Sequence, residues 1–218
     1  MQEFIEIPAN KISLAMRKPI HGVGINDADY MVHNKLGVKY VPCPYYTTWK
    51  SMIERSYSKR FQEIRPTYIG CSVTKEWLIF SNFRVWMKTQ DWQGRQLDKD
   101  ILVLGNKEYS PDTCIFVSGA INNLLTDSAA ARGDLPLGVH LDKCSGMYVS
   151  MCHAGGSQEY LGKFITVDEA EYTYCIFKLD LIKKAAQEEE AVNNSKLQQA
   201  LLRHANLFES RANKIKLQ

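Results

Sequence analysis

Between residues 45 and 60 the apolar positions Trp49, Met52 and Ile53 recur at helical spacing, while Lys50, Arg55, Lys59 and Arg60 fall on the opposite face. Thr47 or Thr48 stands where a helix cap is needed. The pattern predicts one helix with a basic outer face. FQEIRPTYIGCSV follows as a loop broken by Pro66. In TKEWLIFSNFRVWMKTQDW, Trp77, Phe80, Phe83 and Trp86 recur every three residues behind Thr74 as cap, which predicts a second helix with an aromatic core stripe. Gly94 closes that segment. Residues 97–127 then read strand–loop–strand–helix: LDKDILVL, a proline-bearing turn, CIFV and INNLL.

Past SAAARGDLP (128–136), whose small residues, Gly and Pro mark a linker, the period changes to short segments. LGVHLDKC, GMYVSMCHAG and SQEYLGKFI, separated by SG and GG turns, predict a three-stranded antiparallel meander. Thr166 and Glu169 form a capping box ahead of Ala170, Tyr174, Phe177 and Leu181, so one helix packs on that sheet. NNS (193–195) breaks it. The tail carries Leu197, Leu201, His204, Phe208, Arg211 and Ile215 on one stripe. Such a thin apolar face suits docking on the body, pairing with a second copy as a homo-oligomer, or ordering on DNA. Residues 1–44 are polar and turn-rich. Their GVG lacks the helix and lysine of a phosphate loop. The expected organisation is an extension (1–44), a first module (45–128), a second module (137–190) and a C-terminal amphipathic helix (191–218).

Charge adds one feature. Net charge is only +3, yet residues 45–107 hold 11 Lys/Arg against 6 Asp/Glu. A local basic excess is the footprint of a phosphate-binding surface. Apolar content of 45% supports a packed core and excludes global disorder. No C-x-x-C pair occurs among the six cysteines, and Cys43, Cys71 and Cys114 lie too far apart for a zinc motif. There is no leader-like segment and no apolar run of about 20 residues. The expectation is a reduced, cytoplasmic chain without a membrane partner.

Two motifs carry a resemblance. Gly138-Val139, Tyr148-Val149, Leu161-Gly162-x-Phe164, Thr166 and Glu169-Ala170 follow the pattern of the APETALA-two/ethylene-response-factor DNA-binding domain. The middle segment resembles the ββα-metal core of HNH nucleases. Together they cover roughly residues 45–184 and resemble bacteriophage HNH homing-type endonucleases. The resemblance implies an α+β chain: a degenerate HNH-like core with flanking helices, then a three-stranded sheet packed on one helix, and a C-terminal helix. It implies magnesium-dependent hydrolysis of double-stranded DNA inside an infected bacterial host. The other reading is a catalytically inactive DNA-binding or protein-binding regulator derived from such a nuclease.

By the same resemblance Asp98 matches the first metal ligand, Asn106 the loop asparagine that orients the base, and Asn122 the ligand on the helix. Lys99 stands where the general-base histidine belongs. Asp98 and Asp100, two apart, share one side of an extended strand, where like charges call for a cation between them. Three assignments fit: Lys99 as a base with lowered pKa, Asp100 as the base, or an inactive site with Lys99 on the opposite face holding a phosphate. LDKDI as a charged edge strand without chemistry is the plain structural alternative. His33, His140 or His153 are the other candidates for a base. In the second module, alternation turns Tyr148, Ser150 and Cys152 to the helix and Val149, Met151 and His153 outward. The family's pattern adds His140, Asp142, Gln158 and Tyr160 to that DNA face, where related domains carry arginines. Lys50, Arg55, Lys59 and Arg60 are the expected phosphate contacts.

Overall fold

The computed structural model describes residues 4–36, 39–126 and 134–217 and divides the chain into two units, Met1–Phe116 and Val117–Gln218. The chain is 46% helical and 20% strand, which establishes the mixed α+β class. No helix among the described residues is long and apolar enough to cross a membrane.

The first unit is organised around aromatic side chains. Helix α1 (Lys11–Ala15) precedes a hairpin of β1 (His33–Leu36) and β2 (Lys39–Pro42). Helices α2 (Pro44–Tyr57) and α3 (Lys59–Ile64) follow. After a short 3-10 turn come β3 (Ser72–Val73), a second such turn at Lys75–Leu78, and α4 (Phe80–Lys88). Strands β4 (Gln96–Asp98), β5 (Glu108–Tyr109) and β6 (Ile115–Val117) complete the set; β4 pairs with β6, and β5 runs parallel to β3. Trp49, Trp77, Phe80 and Phe83 are fully buried, and the Trp49 indole donates to the Trp77 carbonyl at 2.6 Å, so the aromatic stripe is core.

Three expectations change here. The helix foreseen over 45–60 breaks at Ser58, which closes α2 and whose hydroxyl caps α3 by accepting from the Phe61 amide. The second helix starts five residues late. Ile79 is drawn into a parallel bridge with Ile25, leaving Lys75–Leu78 as a separate turn, and the Thr74 hydroxyl donates to Glu76 instead of capping. Residues 4–44 belong to the first unit rather than extending from it. Ala28 and Tyr30 lie in its core, and Arg17 donates to the carbonyls of Asn26, Ala28 and Tyr30. Gly24 backs against the Trp49 ring at 3.1 Å from where a Cβ would lie.

In the second unit, α5 (Gly119–Leu125) is followed by an antiparallel sheet in the order β7 (Val139–Asp142), β8 (Met147–Ala154), β9 (Ser157–Phe164). Most of the expected linker, 127–133, lies outside the described residues. The sheet packs on α6 (Val167–Ala185), opened by the foreseen Thr166–Glu169 capping box. Helix α7 (Glu189–Val192) leads into α8 (Ser195–Lys216), which lies along α6 with Leu197, Ala200, Leu201, Ala205 and Ala212 buried. The tail docks on its own unit, the first of the three uses open to it. His204 is half-buried and Arg211 is turned outward to pair with Glu171.

Glycine explains how closely sheet and helix approach. At Gly138 (φ +78) a Cβ would fall 2.0 Å from the Tyr174 ring and 2.7 Å from the Met151 carbonyl. Gly138→Ala therefore combines left-handed strain with overpacking and is expected to destabilise the second unit by about 2–4 kcal/mol. Urea unfolding monitored by far-ultraviolet circular dichroism measures this, and an unchanged midpoint refutes the packing argument.

Candidate functional site

Strand β4 stops at Asp98 because its own side chain ends it. Asp98 Oδ1 accepts from the amides of Asp100 and Ile101, both at 2.8 Å, and the chain bends away. The extended LDKD strand is thus corrected to a turn, which brings the Asp98 and Asp100 carboxyls together in place of strand alternation. Lys99 is buried, its side chain 8% exposed, with Nζ 3.1 Å from Asp100 Oδ2 and 5.9 Å from the ring centres of both Tyr68 and Tyr109. Asn106 braces the bend: Nδ2 donates to the carbonyls of Lys99 (2.7 Å) and Glu108 (2.6 Å).

The electrostatics follow from this packing. Burial, reinforced by the charge of Asp100, pushes the Asp98 carboxyl up to about 6 against the pull of its two amide donors. Burial acts to lower Lys99, but the charge and hydrogen bond of Asp100, with Cys71 and Asp98, outweigh it and the ammonium is held above its ordinary value. This direction is opposite to the lowered pKa that a general-base lysine needs. The Lys99 ammonium is enclosed by Asp100 and the rings of Tyr68 and Tyr109.

Arg55 changes role as well. It is drawn in over the Tyr68 ring, 5.8 Å from its centre, and hydrogen-bonded to Tyr109. Burial would lower it, but Tyr109, Tyr68 and Asp98 together raise it. Lys50, Lys59 and Arg60 remain exposed, the last two on α3 rather than on the helix of Lys50. Sequence reasoning missed Tyr68, Tyr109 and the buried Cys71, which surround Lys99. The available signal was two tyrosines set in otherwise polar turns, PTY and EYSP.

Asn122 lies on α5 in the second unit, outside this cluster's unit. His33 packs edge-on against Tyr46, with burial and Lys50 lowering its pKa. His140 and His153 belong to the second unit's sheet.

In that sheet the Gly155–Gly156 turn, with φ of +58 and +88, joins β8 to β9 in a two-residue hairpin and sets His153 opposite Gln158. A bulge then intervenes: Met151 pairs with Tyr160 and Ser150 with Gly162, leaving Leu161 as the extra residue. Leu161 packs with Cys152, Tyr174 and Cys175 toward α6. The register turns Gln158 and Tyr160, the latter 60% exposed, to the side away from the helix. His140 and His153 are exposed there and Met151 is half-buried. Val149, expected outward, is only 6% exposed; it occupies the central strand between cross-strand neighbours His140 and Lys163. Lys163 and Asp142 form an ion pair at 2.6 Å, and Asp142 also accepts from Ser145 and the Cys144 amide, which hold its pKa far below the carboxylate range.

Comparisons with protein-family models, with curated proteins and with solved structures each find no match.

The raised Asp98 pKa carries a signed prediction. A carboxyl that ionises with more difficulty when folded stabilises the fold below its ordinary value of 3.8, and that contribution is lost as pH rises through about 6. Asp98→Asn keeps an oxygen for the two amides and removes the charge. It is expected to abolish a loss of stability, on the order of 2 kcal/mol, between pH 4 and 6. Urea midpoints of both proteins across that range test it; parallel profiles refute it.

Proposed function

We propose that this protein binds double-stranded DNA as a regulator derived from an HNH homing-type endonuclease, acting by occupancy rather than cleavage. The observation that carries the reading is the sheet of the second unit. Helix α6 covers one face, and the other presents His140, Met151, His153, Gln158 and Tyr160. A β-sheet face of this kind suits a major groove about 12 Å wide. Exposed Lys50, Lys59 and Arg60 in the basic stretch of the first unit supply phosphate attraction.

The LDKD turn supports occupancy. Magnesium needs oxygen ligands with room for its waters. One Asp98 oxygen is held by two amides, Asp100 is paired with Lys99, and Asn106 donates its amide to two carbonyls. This donor set does not fit the metal as it stands, and it works as a fastener between β4 and the Tyr68–Tyr109 cluster. Magnesium-dependent cleavage is the second reading. It draws on Asp98 and Asp100, whose mutual repulsion a divalent cation relieves.

Supercoiled plasmid with magnesium or chelator separates the two. Salt-sensitive retardation without cutting is expected. Magnesium-dependent cutting that Asp98→Ala abolishes establishes the nuclease instead. A further prediction distinguishes the cations. Lys59→Ala with Arg60→Ala should lower the slope of log affinity against log salt by about two, since each phosphate contact contributes about 0.9. Arg55→Ala should lower thermal stability and leave that slope in place. A slope unmoved by the double substitution removes α3 from the DNA contact.

A further inference from the structure

We infer that the exposed face of β7–β9 discriminates in favour of A·T base pairs, with Gln158 as the residue that reads adenine. This rests on the DNA-binding reading and goes beyond it by naming the sequence class.

The chemistry of the face decides it. Guanine is read in the major groove by a side chain that donates twice, to O6 and N7, which is the work of arginine or lysine. The outward positions contain no arginine, and their lysine, Lys163, is tied to Asp142 at 2.6 Å and to the Ser145 hydroxyl at 3.3 Å. That ion pair also cancels the formal charges of Asp142 and Lys163 on this face. The face is therefore suited to discriminate among bases, and the phosphate attraction falls to the basic surface of the first unit.

What remains exposed matches the other base pair. Gln158 carries a donor and an acceptor on one planar amide, the combination that pairs with adenine N6 and N7. Met151, half-buried on the neighbouring strand, offers an apolar surface of the kind that meets a thymine methyl. Tyr160 lies directly opposite Met151, and His153 opposite Gln158. These two adjacent cross-strand pairs span about 7 Å along the strands, or about two base-pair steps of 3.4 Å.

The placement is enforced by backbone geometry. The two-glycine turn fixes His153 against Gln158. Strand alternation points Gln158 and Tyr160 outward while Leu161 enters the core, and the bulge at Leu161, next to Gly162 at φ +143, sets Gly162 opposite Ser150 and Lys163 opposite Val149. A one-residue slip would exchange the two sets of side chains.

The test is selection of bound duplexes from a random-sequence library by the full-length protein, repeated with Gln158→Ala and Gln158→Arg. Enrichment of A·T at two adjacent positions is expected. Gln158→Ala should cut the affinity ratio of the best site over random DNA by about tenfold. Gln158→Arg should move one of those positions to guanine. Enrichment of G·C by the wild type, or an equal loss on every sequence in Gln158→Ala, overturns the assignment while leaving DNA binding intact. Failure of the wild type to retain any duplex overturns the DNA-binding reading itself, and this inference with it. Thermal melting of both variants at wild-type temperature confirms that the exposed substitution leaves the fold in place.

Discussion

Oδ1 of Asp98 accepts two backbone amides, and the geometry of the first unit's polar cluster depends on those hydrogen bonds. They stop β4, so the following lysine is carried inward instead of alternating across a strand. Once Lys99 is inside, its charge requires a partner, and Asp100 supplies one. Tyr68 and Tyr109 present their rings to the same ammonium, and Arg55 joins from α2. Asn106 then holds the far side of the bend to β5. Lys99, Asp100 and Asn106 are thus arranged around a bend that begins where this carboxylate accepts two amides.

That choice separates two meanings of one sequence motif. A carboxylate, a neighbouring titratable residue and a loop asparagine resemble a nuclease core because the residue types and their order agree. The same residue types also form a network in which Asp98 holds two amides, Asp100 pairs with Lys99 and Asn106 spans two carbonyls. Lysine in place of histidine tips the balance. A histidine beside a carboxylate is a base near neutral pH, whereas a buried lysine held above its ordinary pKa by an aspartate stays protonated.

Legibility in the sequence followed the range of the forces involved. The capping box at Thr166, the GG hairpin, the three-strand meander and the burial of Trp77, Phe80 and Phe83 were all readable, because each depends on local spacing or on bulk apolarity. What escaped depended on contacts distant in sequence. Ile25 bridging Ile79 split a helix whose local pattern was continuous. Arg55 lies on the polar side of α2 by periodicity, yet two tyrosines 13 and 54 residues further on draw it inward. The first 44 residues looked like an extension because their few apolar groups are scattered, and Tyr30 and Ala28 become core only when α2 and α4 supply the other wall. For the candidate site, the residues were legible and their geometry was not.

Two glycines of the second unit show how its sheet keeps its scaffold independently of its exposed side chains. Gly138 is confined by Tyr174, and Gly162 by Phe164, whose ring lies 2.8 Å from where a Cβ would stand. Both are demands of packing and backbone, and neither touches the exposed side. The exposed outward positions, His140, His153, Gln158 and Tyr160, carry no such constraint. The positions that fix the backbone are thus physically separate from them. The turn, bulge and helix contact are set at the hairpin and on the side facing α6, so the exposed side chains can vary without disturbing them.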